Sequence, residues 1–104
     1  MQTAESMVHS QVEETLYRQF GQEQFIVQST ADSILTLWVP RSLLSDVLRS
    51  LKPQFSMLYD LFAIDERTRQ NRAGQPASDF TVVYQLLSME RNDDIRIKVA
   101  LSEP

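Results

Sequence analysis

The fold of this chain is decided by the stretch Phe80-Thr-Val-Val-Tyr-Gln-Leu-Leu-Ser-Met-Glu-Arg-Asn-Asp-Asp-Ile-Arg-Ile-Lys-Val-Ala-Leu101. Its first part, up to Met89, is apolar at both alternating positions, which predicts a strand buried on both faces inside a sheet. From Ile95 onward apolar residues alternate with polar ones, which predicts a strand with one dry face and one wet face carrying Arg96 and Lys98. The Asn and Asp residues in between favour a tight turn, so the two strands are expected to be antiparallel neighbours.

Upstream of this hairpin, an amphipathic helix is predicted over residues 10–20. Apolar residues recur there at every fourth position, and Gly21 is suited to end the helix because glycine adopts positive φ without steric cost. Ala4 and Val8 continue the same apolar stripe and allow an earlier start.

Two short apolar stretches, residues 25–27 and 34–39, predict a second hairpin. Pro40 opens a second amphipathic helix, which Pro53 ends. Apolar residues recur at every second position over residues 55–62, which predicts a further strand. The order is therefore α-β-β-α-β-β-β. We expect an α+β two-layer sandwich, with two helices on one face of a mainly antiparallel sheet of about five strands.

The composition narrows the possible functions. A length of 104 residues fits one domain. A net charge of -4 argues against a surface that coats nucleic acid. The sequence contains no cysteine and one histidine, which excludes thiolate and multi-histidine metal sites within it. It has no apolar run long enough to span a bilayer and no recognisable signal peptide, so a cytoplasmic location is expected.

The candidate partner-interface residues are charged side chains of the third predicted strand and of the polar loop over residues 65–79: Asp60, Asp65, Glu66, Arg67, Arg69 and Arg72. Arginine side chains suit an acidic partner because the guanidinium binds carboxylates in two-point fashion. The simpler alternative is that these loop charges form solvated ion pairs, each contributing about 0–1 kcal/mol. Asp60 either faces solvent or pairs with an arginine across an interface.

An enzymatic alternative uses Asp60, Asp65 or Glu66 as a general acid or base. Such a role requires a fixed geometry and a carboxyl pKa raised toward neutrality. This alternative predicts at least one such raised pKa among the three groups.

Three stretches form a recognisable pattern: Phe55-Ser-Met-Leu-Tyr-Asp-Leu-Phe-Ala-Ile-Asp-Glu-Arg67, Asp79-Phe-Thr-Val-Val-Tyr-Gln-Leu-Leu-Ser-Met-Glu-Arg-Asn92, and Ile95-Arg-Ile-Lys-Val-Ala-Leu101. Together they resemble the C subunit of bacterial NADH-quinone oxidoreductase (respiratory complex I). The Asp-Glu-Arg start of the polar loop and its Arg-x-Gly-x-Pro-Ala-x-Asp-Phe end resemble the version in which the C and D subunits are fused. On this resemblance, residues 10–104 are expected to be the N-terminal part of a single C-subunit domain whose C-terminal part is absent. Residues 1–9 are expected to be a flexible N-terminal segment.

The resemblance implies a non-redox structural and assembly role in the peripheral arm, beside the D subunit and near the iron–sulfur subunits. It implies that FMN, the iron–sulfur clusters, NADH and quinone bind to other subunits of the complex, which couples electron transfer to proton translocation. This chain alone is therefore expected to hold no cofactor and to be non-catalytic. Its implied location is peripheral, on the cytoplasmic side of the bacterial inner membrane.

Two further possibilities stay open at the level of sequence. The chain is alternatively part of a related membrane-bound hydrogenase complex. Exposed apolar surface also makes a homo-oligomer of the isolated chain possible.

Overall fold

Two helices and five strands make up the part of the chain that the computed structural model describes, which is residues 4–68, 74–90 and 92–102, with side chains from residue 11 onward. Their bounds are α1 Ala4–Phe20, β1 Ile26–Gln28, β2 Leu35–Trp38, α2 Leu44–Leu51, β3 Met57–Asp65, β4 Phe80–Ser88 and β5 Asp93–Leu101. The predicted order of elements is confirmed.

All five strands belong to one sheet, in the order β1-β2-β5-β4-β3. The two hairpins, β1 with β2 and β4 with β5, are antiparallel, and so is the pair β3 with β4. The hairpins join through a single parallel pair, in which Leu35 of β2 lies opposite Ile95 of β5. The α+β class and the mainly antiparallel sheet are therefore confirmed, and β4 is an interior strand as its apolar sequence predicts.

Helix α1 begins at Ala4, six positions before the predicted start at residue 10, and most of the segment expected to be flexible is thus helical. The earlier start that Ala4 and Val8 allow is the observed one. The helix ends where expected: the N–H of Gly21 donates to the carbonyl of Tyr17 at 2.8 Å, and Gly21 adopts a φ of 96°, which a side chain would disfavour.

Helix α2 is shorter than predicted. Pro40 is followed by a single 3-10 turn over Arg41–Leu43, in which the N–H of Leu43 donates to the Pro40 carbonyl at 3.0 Å, and the α-helix begins only at Leu44. Val47 and Leu51 are its buried positions. The four-residue spacing of these two residues presents one face of a short helix to the sheet.

The main core lies between the helices and one face of the sheet. Its fully buried members come from α1, α2 and the central strands, and they include Leu16, Leu37, Val47, Ile95 and Ile97. Burial of such side chains is the dominant stabilising contribution in a domain of this size.

Strand β5 corrects one prediction, because its second face is not wet. Lys98 is only 8% exposed: its ammonium lies 5.4 Å from the centre of the Trp38 ring and donates to Gln28 at 3.2 Å. The guanidinium of Arg96 donates to Asp32 at 2.9 Å. Because β5 is the central strand, both long side chains lie along neighbouring strands and cover the sheet instead of extending into water.

Within the described residues, none of the helices combines the length and the apolar character that crossing a bilayer requires.

Candidate functional site

Strand β3 has the most unusual surface in the described part of the chain. It is nine residues long and forms one edge of the sheet. Five of its large side chains are between 38% and 53% exposed: Met57, Leu58, Tyr59, Leu61 and Phe62. Natural sheets usually keep edge strands short or charged, because an open edge pairs readily with other chains. A long apolar edge of this kind indicates an interaction surface.

A β-bulge divides β3 near its start. Leu58 lies opposite Leu86 and Asp60 lies opposite Gln85, so Tyr59 is the extra residue. The Asp60 carboxylate accepts the backbone N–H of the next residue, Leu61, at 2.9 Å. Asp60 is exposed, as the simpler sequence interpretation predicted, and its role toward a partner stays a prediction.

A groove of about 360 Å³ lies between the end of α2 and the start of β3, on the helix side of the sheet. Leu58, Tyr84 and Leu86 contribute apolar lining, while Arg49 and Lys52 of the helix segment contribute positive charge. The groove exists because neither helix covers the outermost strand. It therefore combines an apolar surface with two cationic side chains.

On the other face of the sheet, polar contacts run from the β1–β2 turn toward β3. Arg96 bonds Asp32 at 2.9 Å. The Tyr59 hydroxyl donates to Gln85 at 2.6 Å and lies 3.1 Å from a carboxylate oxygen of Asp94. Burial, and then the hydrogen bond with Asp94, raise the pKa of Tyr59 above its ordinary value. These contacts give the β3 edge a tyrosine and acidic groups on the face away from the helices.

The loop after β3 is anchored at its base. The N–H of Glu66 donates to the carbonyl of Asp79, and the N–H of Asp79 donates to the carbonyl of Leu101. The Glu66 side chain is only 4% exposed and accepts the hydroxyl of Thr81 at 2.5 Å. The Glu66 side chain therefore links the loop to Thr81 of β4 and is buried within this chain, and its predicted role at a partner interface stays a prediction.

Asp65 and Arg67 pair with each other at the start of the same loop. The Arg67 guanidinium contacts both carboxylate oxygens of Asp65 at 2.7 and 3.0 Å, and it lies 4.9 Å from the centre of the Phe80 ring. Both side chains are about half exposed. The solvated ion pair, which was the simpler interpretation, describes this geometry. Arg69 and Arg72 lie outside the described residues, so their predicted contact with a partner stays a prediction.

The three carboxylates of the enzymatic alternative are not arranged as a site. Glu66 is bound to Thr81, Asp65 is bound to Arg67, and Asp60 lies five residues from Asp65, about 16 Å along the strand. Arg67, through its side chain and then its backbone N–H, lowers the pKa of Asp65 to about 2. A general acid or base needs the opposite shift, so Asp65 does not fit the enzymatic alternative.

A similar effect acts on Asp32. The Thr30 hydroxyl, the Arg96 guanidinium and the Ile34 N–H all bond its carboxylate and hold its pKa well below the ordinary value. Asp32 thus ties the β1–β2 turn to the central strand β5.

These lowered pKa values predict a loss of stability in acid. Both groups bind protons more weakly in the folded than in the unfolded chain, where the pKa is near 3.8. Their contribution is therefore present above about pH 4 and is lost as the pH falls through about 2. We expect urea midpoints to fall between about pH 6 and about pH 2.5. Asp65→Asn should make that fall shallower, and Arg67→Gln should do so by less, because the backbone N–H of residue 67 still bonds Asp65. An unchanged fall in both variants would contradict the assignment.

Comparison with known proteins agrees with the chain's architecture. Residues 37–104 match the family described as respiratory-chain NADH dehydrogenase, 30 Kd subunit. The chain is 50% identical over 92 residues to the C/D subunit of NADH-quinone oxidoreductase from Methylococcus capsulatus, and the match covers 85% of this chain and 16% of that protein. It is 60% identical over 83 residues to the C/D subunit from Psychrobacter arcticus, covering 77% of this chain and 14% of that protein. The chain therefore spans less than a fifth of the length of these relatives.

A solved structure has a similar fold. It is described as Nqo5 of the trypsin-resistant fragment (1-134), and it superposes with a TM-score of 0.63 over 89% of this chain and 71% of that one, at 20% identity. The family match, which covers more than half of the chain, identifies its membership: this chain belongs to the 30 Kd subunit family of respiratory-chain NADH dehydrogenase, the family of the complex I C subunit.

Proposed function

We propose that this domain is a structural and assembly element of the peripheral arm of NADH-quinone oxidoreductase, packing beside the D subunit on the cytoplasmic side of the inner membrane. In this proposal the domain carries no electrons itself. FMN, the iron–sulfur clusters, NADH and quinone bind to other subunits, and the iron–sulfur subunits are further neighbours.

The observation that carries the proposal is the fusion in the relatives. The matching proteins from Methylococcus capsulatus and Psychrobacter arcticus are C/D proteins, in which a segment like this one shares a chain with the D subunit. Fusion keeps two segments at high effective concentration, which favours pairs that must assemble together.

The surface chemistry supports the same proposal. The sequence has no cysteine, so it offers no thiolate to an iron–sulfur cluster. The apolar side chains of β3 are instead suited to burial against another polypeptide. The hydrogenase alternative has no comparable support, because the relatives are NADH-quinone oxidoreductase proteins.

The test is co-purification with a D partner. The 104-residue chain carrying an affinity tag would be co-expressed with the D portion of the Methylococcus capsulatus C/D protein, the relative that is 50% identical to it. We expect a stable one-to-one complex at micromolar concentration, with an interface on the order of 1,000 Å² or more. Arg18→Gln, on the solvent side of α1, serves as the control and should bind equally well. A folded chain that does not retain the D portion would overturn the proposal.

A further inference from the structure

Strand β3 presents an open row of backbone hydrogen-bonding groups. The Glu66 N–H points toward β4, where it bonds the Asp79 carbonyl. Because backbone groups alternate in direction along a strand, Leu61, Ala63 and Asp65 present their N–H and C=O groups to the outer side. No strand in the described part of the chain pairs with that side.

One N–H group in this row already has a hydrogen-bond acceptor within the chain. The Asp60 carboxylate accepts the outward N–H of Leu61 at 2.9 Å. A carboxylate oxygen at this position occupies the place that a carbonyl of an adjacent strand would take. The contact also protects the edge against indiscriminate pairing, a common function of charged residues on edge strands.

The two faces beside this edge carry opposite charge. On the helix side, Arg49 and Lys52 line the apolar groove next to Leu58, and Arg49 has only a long, exposed contact of 3.4 Å with Asp46. On the other side, Asp60 is exposed. An added strand would therefore direct an acidic side chain to the helix side and a basic one to the opposite side, since alternate residues point to opposite faces.

We propose that the edge of β3 accepts an extended segment of a partner chain as a sixth strand, with apolar side chains over the exposed residues of β3, an acidic side chain toward Arg49 and Lys52, and a basic side chain toward Asp60. The inference rests on the proposed function for its assumption that the partner is another chain of the complex. Strand addition of this kind derives affinity from backbone hydrogen bonds and specificity from the alternating side chains.

The experiment uses a synthetic probe, so that it does not depend on the D subunit. The probe is the capped peptide Val-Thr-Ile-Lys-Glu-Val-Ile-Thr-Val, matched to β3 in length, and the readout is amide hydrogen exchange of the isotope-labelled chain by NMR. We expect the outward amides of Ala63 and Asp65 to become protected, while the inward amides of Phe62 and Ile64 change little. Replacing the glutamate of the peptide by glutamine should weaken binding about two- to fivefold, and so should Lys52→Gln in the chain.

Substitutions at one position separate strand addition from general stickiness. Ala63→Pro removes an outward N–H without removing a hydrogen bond between β3 and β4, and it should abolish binding. Ala63→Val retains the N–H and should bind as well as the parent. If Ala63→Pro does not fold, Leu61→Glu provides the second test. Its negative charge, at an exposed position of β3, repels the glutamate of the peptide and should weaken binding.

Several results would overturn the inference. Equal binding by Ala63→Pro and Ala63→Val would do so, as would protection that does not alternate along β3 or that appears at the β1 edge. Amides of Ala63 and Asp65 already protected in a concentration-dependent dimer would identify a second copy of the chain as the occupant. If the D portion co-purifies but the peptide fails, strand addition is wrong and the proposed function stands; the reverse pattern would leave the edge site and remove D as its partner.

Discussion

Leu37→Ala should be among the most damaging single substitutions in this chain, with a loss of about 3–5 kcal/mol in the free energy of unfolding. Leu37 has no exposed surface and lies opposite Ile97, which is also fully buried, in the parallel pair that joins the two hairpins. Its neighbours belong to a sheet that is fixed by hydrogen bonds on both sides, so the cavity left by the substitution cannot collapse easily.

The measurement is urea or thermal unfolding of the variant beside the parent chain. A domain of about 100 residues has roughly 5–15 kcal/mol of stability in total, and a loss of 3 kcal/mol lowers the thermal midpoint by at least about 12 °C. Leu61→Ala is a matched control, because it makes the same chemical change at a side chain that is 53% exposed. It should cost less than about 1 kcal/mol. Similar losses in both variants would contradict the assignment of Leu37 to the core and Leu61 to the surface.

Local sequence patterns were sufficient to predict the elements of this fold. Local structure depends on signals that involve only a few adjacent residues, such as the turn residues, Gly21 and the alternation of apolar and polar residues from Ile95 onward. The structure accordingly has helices and strands close to the predicted positions. The early start of α1 follows the apolar stripe that Ala4 and Val8 continue, and the late start of α2 follows from a 3-10 turn at its beginning, which is common at helix ends.

The edge position of β3 was not predictable from the same patterns. In both β3 and β4, apolar residues occupy odd and even positions alike, yet β4 is an interior strand and β3 is an edge strand. The available signal was Asp60, since a carboxylate within an apolar run is tolerated at an edge and is costly inside a sheet. Asp60 is conspicuous in the sequence as a charged residue within an apolar stretch. Its apolar neighbours, such as Leu61 and Phe62, form the larger part of the exposed surface of β3, but the local sequence does not indicate that they are exposed.

The charged loop residues illustrate a second limit. Asp65, Glu66 and Arg67 are adjacent in sequence and were predicted to share one role, but the structure separates them. Asp65 and Arg67 pair at the surface, whereas Glu66 turns inward to Thr81. Adjacent residues at the end of a strand point to opposite faces, and which face is buried depends on the path of the loop, which composition does not specify.

The expected wet face of β5 leads to the second large prediction. The face of the sheet away from the helices is expected to behave as a second buried layer, with Trp38 as its main apolar residue. Trp38 is 2% exposed, its indole N–H donates to Gln28 at 2.8 Å, and the Lys98 ammonium lies over its ring. A long cationic side chain can bury its methylene groups over a neighbouring aromatic ring while its charge finds a polar partner, and alternation of polar and apolar letters alone does not reveal this.

Trp38→Ala should therefore cost about 3–5 kcal/mol, comparable to Leu37→Ala although the side chains of these consecutive residues point to opposite faces of β2. Trp38→Phe separates the two contributions. It keeps most of the apolar area and loses the indole hydrogen bond, and Gln28 retains its contact with Lys98, so the expected cost is about 0.5–1.5 kcal/mol. Unfolding free energies of both variants, measured in urea beside the parent, test the point. A loss below about 1 kcal/mol for Trp38→Ala would mean that this face is effectively solvated, because a side chain in water loses little on truncation. A large loss for the alanine variant and a small one for the phenylalanine variant would establish that apolar burial under Lys98, and not the single hydrogen bond, stabilises the face of the sheet opposite α1 and α2.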